Sequence, residues 1–85
     1  MDEHEAGEIN RKADEATRLI NNDVFNECFQ NMNTQILEQF IASPPEATEE
    51  RERLYHMYKA GQLFVTQFAT MINAREMLLH SETGE

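Results

Sequence analysis

The chain has no tryptophan, one cysteine, two prolines and three glycines among its 85 residues, and only 7 basic side chains against 16 acidic ones. Each scarcity excludes something. A single thiol, Cys28, cannot close an internal disulfide or build a cysteine-rich zinc site, and it suits a reducing compartment. Apolar Val24, Phe25 and Phe29 surround it in sequence, so the expectation is a buried structural thiol. With so few glycines and prolines there are too few turn residues for a sandwich or barrel of short strands. The deficit of Lys and Arg works against nucleic-acid binding, which depends on neutralising phosphates, and equally against an anionic membrane surface. No apolar run approaches the ~18–20 residues of a membrane span. The opening MDEHEAGE lacks the apolar core of a secretory signal.

What is present is helical periodicity. Residues 1–8 are polar and acidic and read as a flexible tail, followed by one helical domain over 9–80 and a C-terminal tail over 81–85. The first helix is expected over about 9–20. Its stripe of Ile9, Ala13, Ala16, Leu19 and Ile20 is thin and partly alanine, so it needs another element to lean on. Asn21 to Asp23 break it, with Asp23 placed to cap the next helix. That second helix, about 24–42, carries Phe25, Phe29, Met32, Ile36 and Phe40 at intervals of four, three, four and four. Pro44 and Pro45 end it, because each proline pushes its predecessor out of the α region. Ser43 and Glu46 have the spacing of a capping box, and Thr48 or Pro45 is an equally good start for the third helix.

The third helix is expected over about 47–80, some 50 Å at ~1.5 Å per residue, whereas the second would reach only about 28 Å. Leu54, Tyr58, Gly61, Val65, Phe68 and Ile72 follow one another at four, three, four, three and four, and the phase continues through Arg75 and Leu79. A second seam beside it takes in Met57, Gly61, Phe64, Phe68, Met71 and Leu78. The fold expected is all-α, an antiparallel hairpin of short and long helix with the short N-terminal helix packed alongside. Because the long helix outruns its partner, the seam Leu54, Tyr58, Gly61, Val65, Phe68, Met71, Ile72, Arg75 and Leu79 is the candidate interaction surface. Glu46, Glu49, Glu50 and Glu52 lie where carboxylates favour the positive end of a helix dipole, so the acidic run mainly announces a helix start.

Motifs for chemistry are missing. His4, His56 and His80 are far apart, and Glu52 with His56 offers two ligands on one helix face where zinc needs at least three. No glycine-rich phosphate loop occurs, and Ser43 and Ser81, beside a proline and in the terminal tail, have no neighbouring base motif. No cofactor or metal is expected, and no catalysis.

Two stretches, ADEATRLINNDVFNECF and SPPEATEERERLYHMYKAGQLF, together with the closing SETGE, resemble a group of small uncharacterised α-helical proteins encoded by tailed bacteriophages and prophages. The shared features are a helix ending at an Asn/Asp break, a Phe-bearing amphipathic helix, a proline corner and an Arg-Glu-Arg-Leu-aromatic run opening the last helix. The resemblance implies a phage-encoded helical protein, of a kind found among genes for the head and DNA packaging, in the cytoplasm of the infected cell or in the virion. It brings no catalytic residues. The expected role is a virion-assembly or accessory component that forms a homo-oligomer or docks on another phage protein. The alternative is an acidic inhibitor of a basic host protein, imitating DNA through Glu46 to Glu52. A DNA-binding role of the small-terminase kind suffers from the charge and from the lack of a basic recognition helix.

Overall fold

Asparagine and aspartate side chains set the helix limits. The computed structural model describes residues 2–82, and these form three helices with no strand among them: α1 (Glu3–Ile20), α2 (Asp23–Ala42) and α3 (Thr48–Glu82). The chain is all-α. Asp2 caps α1 by accepting the Glu5 N–H at 2.8 Å, and Glu3 and Glu5 fall in the positive first turn. The acidic opening is therefore helix from Glu3 onward rather than a flexible tail over 1–8. Asp2 and Glu5 have the spacing of a capping box, and that signal outweighs low apolar content. Of the C-terminal tail placed at 81–85, Ser81 and Glu82 belong to α3, and 83–85 lie outside the described residues.

The break between α1 and α2 is a junction made by three asparagines. Asn21 donates its side-chain amide to the Thr17 carbonyl at 3.0 Å, and Asn26 reaches back to the Ile20 carbonyl at 2.9 Å. Asn22, extended at φ −79° and ψ 126°, accepts the Phe25 N–H at 2.8 Å. The cap is thus Asn22, and Asp23 is the first helical residue; its carboxylate still favours the dipole from there. At the other end of α2, Ser43 serves as C-cap, its hydroxyl donating to the Phe40 carbonyl at 2.6 Å, so it opens no capping box with Glu46. The proline corner closes on itself through Ala47 N–H to Pro44 C=O at 3.0 Å.

Contacts between helices follow a simple order. Asp14 meets Arg75, Phe25 meets Phe68, Met32 and Phe29 lie at Gly61, and Phe40 meets Arg51. As one partner advances along the chain the other retreats, so α1 and α2 both run antiparallel to α3. They occupy successive lengths of it and have little contact with each other. A cross-section through the molecule therefore cuts two helices almost everywhere. The dimensions agree: 56 × 25 × 20 Å, with a radius of gyration of 18.1 Å, against about 12 Å for a globular chain of this length.

Two helices side by side can enclose only a narrow core. Among the described residues Ala13, Ala16, Ile36, Leu54 and Leu78 are the buried apolar ones, and Leu54 is fully enclosed. Around them Phe25, Phe29, Phe40, Val65, Phe68 and Ile72 are half-buried.

Candidate interaction surface

The expected seam divides. Leu54 is buried, and Gly61, Val65, Phe68, Ile72 and Arg75 are half-buried against α1 and α2. Tyr58, Met71 and Leu79 stay exposed, at 43%, 39% and 48%. The heptad stripe of α3 is thus largely spent inside the molecule. Phe68 packs edge-on to Phe25 at 5.5 Å and to Phe64 at 5.2 Å, linking the inner stripe to an outer ring. Arg75 ion-pairs across α1 and α3 with Asp14, whose side chain is largely exposed. Gly61 lies under Met32: a Cβ there would come within 2.9 Å of the Met32 Cε.

The exposed apolar residues lie beside that stripe. Met57, Phe64 and Met71 are seven residues apart on α3 and so form one row, since a straight helix drifts only ~20° per heptad. Phe64 is 57% exposed. Val24, Cys28 and Met32 succeed one another at steps of four on α2, all exposed, and Met32 adjoins the row at Gly61. Cys28 is consequently a surface thiol and not a buried one: the α2 stripe is broad, and α3 covers only the part centred on Phe29 and Ile36. On the opposite side, near the proline corner, Ile36, Leu37, Phe40, Leu54, Tyr55 and Tyr58 line a groove of about 450 Å³.

Charge is distributed unevenly. Residues 60–74 of α3 contain no ionisable side chain, and neither Asp, Glu, Lys, Arg nor His occurs over 28–37 of α2. In a chain of net charge −9 that is a marked gap, visible in the sequence to a reading of charge rather than of apolar spacing. The acids gather toward the ends. Among the residues of the acidic alternative, Glu49 and Glu50 occupy the first turn of α3, Glu46 sits in the corner and Glu52 one turn on; all four are exposed. Arg53 bonds Glu50 at 2.6 Å and holds its carboxyl below the ordinary value, first through that hydrogen bond. Arg51 lays its guanidinium over the Phe40 ring, 4.3 Å from the centroid. Two arginines thus interrupt the acidic run.

Among the described residues, no three His, Cys, Asp or Glu side chains gather to hold a metal, and no helix is long and apolar enough to cross a membrane. Comparison with protein-family models, curated proteins and solved structures gave no match.

Proposed function

We propose that this is a non-catalytic helical interaction protein, a hairpin whose exposed apolar face is covered by protein when it works. The observation that carries the reading is surface. The chain exposes 6613 Å², whereas a compact monomer of its mass would expose about 5,200 Å². Large apolar side chains share in that exposure: Val24 is 65% exposed, Leu37 57%, Ile41 72%, Leu63 63% and Met77 73%. Such a surface suits assembly with a second copy or with another protein. The resemblance to phage proteins supports a virion-assembly or accessory component, working in the infected cell's cytoplasm or in the virion. The acidic-inhibitor alternative draws less support, because Arg51 and Arg53 break the carboxylate face it would need.

Sedimentation equilibrium at micromolar concentration tests the reading. The expected species is heavier than the 9.9 kDa chain. A strictly monomeric and highly stable species would remove the main ground for self-association. Mass spectrometry of purified virions decides whether the protein is a structural component or acts only during assembly.

A further inference from the structure

We propose that the occupant of the exposed face is a second copy of this chain, laid against the row Met57, Phe64 and Met71 with Cys28 and Met32 beside it. The proposal rests on the interaction reading and specifies its partner and its surface. Three observations lead there.

The first is architectural. Each protomer has a two-helix cross-section, in which every helix can bury one stripe. Helical domains usually solve this by placing a second pair against the first, so that each helix buries two adjacent stripes around a common core. The row on α3 is that second stripe. It touches the inner one through the Phe64–Phe68 ring contact at 5.2 Å.

The second is electrostatic, and it separates a second copy from a basic partner. Two copies each carrying −9 repel wherever their charged surfaces meet. A self-contact must therefore fall where charge is absent, while a basic partner would be drawn to the acids. Phe64 and Met71 lie within the charge-free stretch 60–74, and Cys28 and Met32 within 28–37. The apolar face coincides with the charge gap and not with Glu46 to Glu52. Charge returns at the edges of the row: Arg53 Nη1 lies 3.1 Å from the Met57 sulfur, and Arg75 follows Met71 one turn on.

The third is the exposure of the row itself: Met57 is 43% exposed, Phe64 57% and Met71 39%, with Met32 at 39% beside them.

The experiment is sedimentation equilibrium with circular dichroism on the full chain and on Phe64→Glu, Met71→Glu and Leu37→Glu. The wild type should be dimeric at tens of micromolar. Phe64→Glu and Met71→Glu should stay helical and associate about 100-fold more weakly, as loss of a central anchor does. Leu37→Glu, on the opposite groove, should dimerise like the wild type. Raising salt should tighten the dimer by screening repulsion between acidic ends. If Phe64→Glu lost its helicity, Phe64→Ser, which adds no charge, would carry the same comparison. A wild-type oligomer that Leu37→Glu disrupts and Phe64→Glu spares would overturn the face assignment and leave the interaction reading intact. A trimer or larger closed species would overturn the second-copy model, and a monomer at 100 μM would defeat the proposal and the self-association behind it together.

Discussion

The two halves of the molecule pack by opposite means. Where α1 lies on α3 the contact residues are small, and Ala13 and Ala16 are 0% and 2% exposed. With little side chain between them the backbones come close over much of that length. Where α2 lies on α3 the contact residues are Phe25, Phe29, Met32, Ile36 and Phe40. These hold the axes farther apart, enclose Leu54 and leave a groove on one side and an apolar row on the other. The outer face of α1 is charged and laced with ion pairs, Glu8 with Arg11 at 3.0 Å and Glu15 with Arg18. The sides of α2 are apolar or amide. Small residues thus give a close contact, and large ones leave apolar side chains exposed on both sides.

Substitutions that break this contrast should do so to different degrees. Leu54→Ala removes a large and fully enclosed side chain and should cost about 2–5 kcal/mol in urea unfolding. A loss below 1 kcal/mol would mean that the α2 half has no fixed core. Ala13→Leu drives bulk into the close contact and should cost about 1–3 kcal/mol by overpacking. It should also lower amide protection in α1 more than in α2, and uniform loss would show that the halves are not separate. Gly61→Ala works the other way. Only the flexible end of Met32 stands at 2.9 Å, so it can move aside, and the gain in helix propensity should stabilise the chain by roughly 0.5–1 kcal/mol. A net loss would show that α2 and α3 are held there as tightly as α1 and α3.

The smallest effect concerns acid. Glu8 and Glu50 have carboxyls held below the ordinary value by hydrogen bonds from Arg11 and Arg53. Their support is therefore present above the ordinary carboxylate range and is lost as pH falls through the lowered values. Helicity at the ends should decline slightly between pH 5 and about pH 3, and a Glu8→Gln, Glu50→Gln double variant should show less of that decline. Self-association should meanwhile tighten, as the acids that separate two copies become neutral.

Much of the architecture was legible from one sequence. Periodicity located α2 and α3 closely, because Phe25 to Phe40 and Leu54 to Ile72 keep step with a helix over many turns. The proline pair marked the corner for a backbone reason that tertiary packing does not override. The start of α1 was missed because apolar spacing says nothing about Asp2, whose effect is a local hydrogen bond. Asn22 and Asp23 are both good caps, and only the geometry chooses between them. The burial expected for Cys28 failed for a more general reason. A broad stripe shows which side of a helix is apolar, but a single neighbour covers only part of it. Of the expected seam, Leu54, Gly61, Val65, Phe68, Ile72 and Arg75 are used within the chain, whereas Met57 and Phe64 beside it stay exposed.

One consequence of laying α1 and α2 in succession along α3 concerns the order of folding. Contacts nearest the proline corner, such as Phe40 with Arg51, close short loops, while Asp14 and Arg75 are 61 residues apart. Each contact farther from the corner encloses a longer loop, at an entropic cost that grows slowly with length and is offset once the preceding contacts hold. The chain should close like a zip fastener from Pro44 and Pro45, with α1 seated last and released first. Hydrogen exchange would show this as protection that falls from the corner toward Glu3, and equal protection at both ends would refute it.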